Sequence, residues 1–286
     1  MNPDQDITFG DFSFADRFED DRANIEFIRR HTGQKKISVI AHSEATAAFW
    51  VGMSQYPTWY EERVNILIAL GPVSKLDNIK TLLLKSLGAN SLAISLVKSF
   101  GIHEFFYPNF WTNVWFSTIC GAFPKICRFS TYLISDGDTS VDNLESMSNY
   151  YGHYPAGISV KSLEHTLQIY MQGRFQYFDY GEEVNKRIYG TTVPPLVNLK
   201  AISGVPIALL VGNTDLLGDP EDNQWLRQQL GSNVVSYKTY DYGHITFFIG
   251  KDMSYLEDVI SLLRKYAAPV PSTIQTAKVD LKKVSN

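Results

Sequence analysis

Ser43, Asp215 and His244 occur in that chain order, and together they supply a nucleophile, a proton acceptor and a carboxylate to orient the acceptor. A neutral serine hydroxyl attacks poorly. A histidine must take its proton, and a carboxylate must fix the imidazole tautomer and stabilise the imidazolium. Ser43 follows the apolar, β-branched run Ile37-Ser38-Val39-Ile40 and precedes an Ala-rich apolar stretch to Trp50. That pattern predicts a strand, a sharp turn and a helix. A serine on such a turn projects its hydroxyl above the strand end, and the first N–H groups of the helix face any oxyanion formed there. Taken alone, Ser43 also reads as a helix cap.

Asp215 lies just past the predicted strand Val205–Gly212, and His244 just past the predicted strand Val234–Tyr240. Strand ends of an open parallel sheet share one rim, where sites form. Asp219, four residues beyond Asp215, competes for the same role, and either residue can instead cap the helix expected from Glu221 to Leu230. Of the remaining histidines, His42 adjoins Ser43 and is expected to point away from it. His31 ends a helix, and His103, His153 and His165 lie among helical stretches, so all are read as structural or solvated. Ser, Asp, His at three strand ends is the order found in α/β-hydrolases.

The elements that must position these residues are legible as α/β. A helix is expected from about Phe14, with acidic Glu19, Asp20 and Asp21 early and basic Arg29 and Arg30 late, ending at Thr32-Gly33. A second strand, Val64–Leu70, breaks at Gly71-Pro72. Two apolar strands joined by a helix predict parallel pairing with right-handed crossovers. From about 74 to 200 no strong buried strand is visible, only apolar helical stretches such as Ile79–Leu87 and Leu92–Phe100 and aromatic clusters such as Phe105-Phe106-Tyr107 and Phe110-Trp111. The expected organisation is a core of residues 1–73 and 201–266, a helical cap or lid insertion over 74–200, and a disordered tail over 267–286. A last helix is expected over Met253–Tyr266.

Composition narrows the function classes. The chain has 286 residues, 44% hydrophobic and 20% charged, with a net charge of −4, which suits a globular protein with a large core. No long basic run is present, so nucleic acid is not an expected partner. No apolar run reaches membrane-spanning length, and the start is polar and acidic, without the form of a signal peptide. Taken by itself that makes a soluble cytosolic protein the default. Cys120 and Cys127 are close enough in sequence to pair, but two thiols decide no redox compartment.

Phe12-Ser13-Phe14, Thr32-Gly33-Gln34-Lys35, Ala41-His42-Ser43-Glu44-Ala45-Thr46, Ala69-Leu70-Gly71-Pro72-Val73, Pro155-Ala156-Gly157-Ile158-Ser159-Val160, Phe175-Gln176-Tyr177-Phe178-Asp179-Tyr180-Gly181, Val193-Pro194-Pro195 and Gly212-Asn213-Thr214-Asp215-Leu216-Leu217 resemble the acid lipase family, which includes gastric and lysosomal acid lipases. The likeness runs from about Phe9 to Tyr266. It implies a mostly parallel α/β-hydrolase sheet with a helical cap, Ser43 as nucleophile, Asp215 rather than Asp219 as the acid, His244 as base, and Cys120 with Cys127 near the family's cap disulfide. By the same resemblance the substrates are triacylglycerols or steryl esters, the compartment is lysosomal or extracellular, contact with lipid interfaces is expected, and neither metal nor organic cofactor is needed.

Two departures bear on activity. Ala41 and Ala45 stand where the family's elbow has Gly, and Glu44 stands where it has Gln, placing a carboxylate beside the oxyanion although its N–H can still donate. The fold also sets several strands before the nucleophile strand, one of whose loops supplies a second oxyanion N–H, and this sequence begins after them. Loss of that donor is worth on the order of 10²–10³ in turnover. Strand Ile37–Ile40 is then expected as an unpaired apolar edge, which aggregates, binds a chain that supplies the strands, or marks an incomplete reading of a longer gene. Two readings stay open: a lipid ester hydrolase using Ser43, His244, Asp215 and the Glu44 N–H, or a catalytically silent lipase-like protein that binds lipid or a partner chain.

Overall fold

A computed structural model describes residues 10–88, 99–105 and 110–267. The expected disordered tail, apart from Ala267, and most of the Leu92–Phe100 stretch lie outside the described residues, as do Phe106 and Tyr107. Four parallel strands, β1 (Ile37–His42), β2 (Val64–Leu70), β5 (Ile207–Gly212) and β6 (Val234–Tyr240), form one sheet in the order β1-β2-β5-β6. Between β2 and β5 in sequence, β3 (Glu104–Phe105) pairs antiparallel with β4 (Ile158–Ser159). This ribbon is too short for sequence periodicity to reveal.

Strand β2 alternates between two cores. Ile66, Ile68 and Leu70 pack with Ala208, Leu210, Tyr240, Phe247 and Tyr255 on one face, and Val64, Leu67 and Ala69 pack with Phe49, Trp50, Ile207 and Leu209 on the other. Burial on both faces is why β2 and β5 read as near-continuous apolar runs. Strand β1 pairs with β2 alone among the described residues, and Ile40 is 50% exposed beside it. Among the described residues the sheet thus carries β1, the strand leading into Ser43, at an edge.

The first helix, Phe18–Thr32, ends at Gly33 with φ 68°. It starts four residues later than expected. Ser13 and Asp16 turn the chain first: the Ser13 N–H donates to Asp16 Oδ2 at 2.8 Å, and the Asp16 N–H to the Ser13 carbonyl. This leaves Phe14 free of the helix. Residues 110–122 and 124–134 form two helices that a Cys120–Cys127 disulfide joins across the intervening turn. Among the described residues no helix is long and apolar enough to cross a membrane.

Candidate active site

Ser43 joins β1 to the helix Glu44–Gln55 with φ 57° and ψ −130°. It is the one non-glycine residue with positive φ among those described, a conformation costing on the order of 1–3 kcal/mol. Surrounding bonds hold it there. The Ser43 N–H donates to the Leu70 carbonyl, and the Thr46 N–H and hydroxyl both donate to the Ser43 carbonyl. The same Thr46 hydroxyl accepts from the Val73 N–H at 2.9 Å, tying the elbow to the segment after β2. The helix that follows buries Thr46 to Met53, which fixes the direction of its N-terminus.

His244 and Asp215 reach Ser43 from the ends of β6 and β5. Ser43 Oγ lies 2.7 Å from His244 Nε2, and His244 Nδ1 lies 2.8 Å from Asp215 Oδ2. A carboxylate only accepts, so Nδ1 carries the proton and Nε2 is left to accept from the serine hydroxyl. Asp215 Oδ1 accepts from the Leu217 and Gly218 N–H groups at 2.8 and 2.7 Å, which fixes the carboxylate plane. Burial alone pulls the His244 imidazole down, but the Asp215 charge and hydrogen bond, helped by Asp136, outweigh it and leave the pKa raised.

Glycines let this array close. Gly71 has φ 49°, and a Cβ there would meet Asp215 Oδ2 at 3.1 Å and His244 Nδ1 at 3.2 Å. Asp219, the sequence's other candidate, is occupied elsewhere. It caps the Pro220–Leu230 helix by accepting from the Glu221 N–H at 2.8 Å, and its Oδ2 pairs with Lys80 Nζ at 2.7 Å.

Of the two readings left for His42, the structural one holds: its ring packs 4.6 Å from that of His244, and its Nε2 donates to the His244 carbonyl at 2.9 Å. Burial pushes its pKa down to about 3, so it stays neutral and supports the His244 ring. Its neighbour Glu44 turns its carboxylate to Arg17 at 3.1 Å. The Glu44 N–H opens the helix and has no intrahelical acceptor.

An apolar slot of about 150 Å³ opens beside Ser43 and Glu44, lined by Phe14, Val73, Leu84, Leu163, Ile169 and Leu217 among others. Larger clefts of about 420 and 490 Å³ lie elsewhere and include no member of the Ser-His-Asp array. The sequence reading missed Phe14 as a wall of this slot because it placed that residue inside a helix.

No family model matches the chain. Gastric triacylglycerol lipase of Bos taurus is 31% identical over 265 residues, covering 89% of this chain and 65% of that protein. Lipase member J of Homo sapiens is 30% identical over 251 residues, covering 86% of this chain and 67% of that protein. The chain therefore spans about 65% of the length of the gastric lipases it matches. Among solved structures, a soluble variant of monoglyceride lipase from Saccharomyces cerevisiae, in complex with a substrate analogue, superposes with a TM-score of 0.51 at 14% identity, covering 88% of this chain and 70% of that one. At that identity the likeness establishes the α/β-hydrolase fold.

Proposed function

Since the chain belongs to the acid lipase family, we propose that it hydrolyses lipid esters through an acyl-enzyme on Ser43. The observation that carries this reading is the unbroken relay of 2.7 and 2.8 Å from Ser43 through His244 to Asp215, set on a strained turn at a helix N-terminus. Ser43 Oγ attacks the acyl carbonyl while His244 Nε2 takes the hydroxyl proton. Asp215 holds the imidazole in the required tautomer and stabilises its charge. The Glu44 N–H donates to the oxyanion, and Arg17 draws the Glu44 carboxylate into an ion pair. The tetrahedral intermediate collapses, His244 returns the proton to the leaving alcohol, and water attacks the acyl-enzyme by the same steps in reverse.

Two further features support a lipid substrate. The slot beside Ser43 is apolar and sized for an acyl chain. Phe110, Trp111, Trp115, Ile126 and Phe129 on the two disulfide-linked helices, with Phe123 in the turn between them, are 60–76% exposed, apolar surface suited to a lipid interface. The bovine relative is named for triacylglycerol, and triacylglycerols or steryl esters are the proposed substrates here. The Cys120–Cys127 bond suits an oxidising compartment, the lysosome or the cell exterior. The open edge of β1 favours a second element of this proposal, a pairing strand from another chain or segment.

Hydrolysis of p-nitrophenyl butyrate tests the reading. Turnover by the folded chain that disappears in Ser43→Ala is expected, whereas lipid binding with equal background rates in both proteins points to the silent alternative. The slot adds a second expectation. Leu163→Ala removes side-chain volume from its wall, so kcat/KM for longer p-nitrophenyl acyl esters should rise relative to butyrate by roughly 10-fold, about 1–3 kcal/mol in methylene contacts. An unchanged chain-length profile would exclude the slot as the acyl site.

A further inference from the structure

Thr246, two residues after His244, is fully buried and its hydroxyl lies within hydrogen-bond distance of three groups. The Gly243 N–H donates to Thr246 Oγ1 at 3.0 Å, Asp136 Oδ2 lies at 3.1 Å and Asp142 Oδ1 at 2.8 Å. Both aspartates are fully buried. Asp136 Oδ1 also accepts from the Ile245 N–H at 3.0 Å, and its carboxyl lies so close to Gly243 that any Cβ there would overlap it. The turn Gly243-His244-Ile245-Thr246 is thus gripped by side chains from the segment between β2 and β5.

A threonine hydroxyl has one proton and cannot donate to two carboxylates. With both aspartates ionised, one carboxylate oxygen would face a hydroxyl lone pair in a site without water contact. Every atom at the hydroxyl is satisfied by one extra proton. The Asp142 acid then donates to Thr246 Oγ1, which also accepts from the Gly243 N–H and donates its own proton to Asp136 Oδ2. Burial raises the Asp136 carboxyl too, but the Ile245 N–H, the Ser135 hydroxyl and the facing His244 partly offset it, which makes Asp136 the better anion of the two. Asp142 Oδ2 is buried with no hydrogen-bond partner among the described residues, which a neutral carboxyl tolerates far better than a carboxylate.

We propose that Asp142, Thr246 and Asp136 form a proton-sharing chain, with Asp142 as the neutral acid, and that the two aspartates are positioning residues for His244. The inference rests on the reading of His244 as the base. The charged and titratable groups facing the pair are Arg128 from the 124–134 helix, Asp138 from the same loop, Tyr150, Asp215 and His244, with Lys251 beside Asp138. Burial, followed by the charges of Asp136 and Asp138, lifts Asp142 from 3.8 to about 7 against the pull of the Thr246 bond and Arg128. The folded chain therefore binds a proton that the unfolded chain releases, and stability falls as pH rises from about 4 to about 7, then levels.

Infrared spectroscopy of the whole chain labelled with ¹³C-aspartate tests this without requiring turnover. The expected result is a protonated aspartic acid carbonyl band that is half lost near pH 7, above the titration of Asp21, which burial raises to about 6, and that is missing from Asp142→Asn, whose amide can replace the donated proton. The melting temperature of the wild type should fall by on the order of 5 °C more than that of Asp142→Asn between about pH 4.5 and 7.5. A wild-type spectrum with no band titrating near pH 7, or a band with that midpoint persisting in Asp142→Asn, overturns the proposal; if that variant does not fold, the wild-type titration alone decides. Loss of hydrolysis with the band intact would overturn the enzymatic reading and leave the proton chain standing.

Discussion

His244→Ala is expected to lower kcat for p-nitrophenyl butyrate by on the order of 10⁶-fold, about as much as Ser43→Ala, with the double variant no worse than either single one. The reason lies in the geometry at Nε2. This nitrogen is 2.7 Å from Ser43 Oγ, and among the described residues no other titratable side chain is hydrogen-bonded to that hydroxyl. In the proposed relay serine and histidine act as one unit, so removing either abolishes the same step. The His42 ring is adjacent but cannot substitute: its Nε2 is committed to the His244 carbonyl, and burial holds its pKa near 3. Losses that multiply in the double variant would mean that the two residues act independently, contrary to the relay.

Asp215→Asn should cost about 10⁴-fold in kcat with the fold retained, because an amide donor opposite Nδ1 favours the wrong tautomer. Asp219→Ala provides the contrast. It removes a helix cap worth about 1 kcal/mol, together with the Lys80 ion pair, and should leave kcat within a few-fold of the wild type. Reversed effects, with Asp219 critical to turnover and Asp215 dispensable, would reassign the acid. The two residues also differ in what they accept. Asp215 presents one oxygen to His244 and the other to two backbone N–H groups, whereas Asp219 faces its own helix.

Much of this was readable in the chain, for reasons that differ by residue. Strands Val64–Leu70 and Val234–Tyr240 match the expected bounds because apolar or alternating runs end at Gly71 and at Asp241-Tyr242-Gly243. The turn at Ser43 was legible because an apolar β-branched run meets an Ala-rich segment, although the usual glycines are Ala41 and Ala45. Local pattern did not separate Asp215 from Asp219. Four residues apart after the same strand, both fit a cap or an acid, and only the family resemblance favoured Asp215.

What stayed hidden depends on contacts distant in sequence. Asp136 bridges to Asp215 across 79 positions and grips the His244 turn, yet nothing around Leu133-Ile134-Ser135-Asp136 signals that encounter. For His42 the sequence left structural and solvated roles open, and its partner was invisible because His244 lies some two hundred positions away and packs onto it only in the fold. Phe14 belonged to a plausible helix until the Ser13–Asp16 turn released it into the wall of the slot.

The central claim is that Ser43 is an activated nucleophile, and covalent capture by a fluorophosphonate tests it most directly. Trapping needs the hydroxyl, the base and an oxyanion donor in register, and peptide mass analysis locates the adduct. The account predicts a single adduct on Ser43, absent from Ser43→Ala and formed far more slowly by His244→Ala. A folded chain that takes no label, or takes it on another residue, would contradict it.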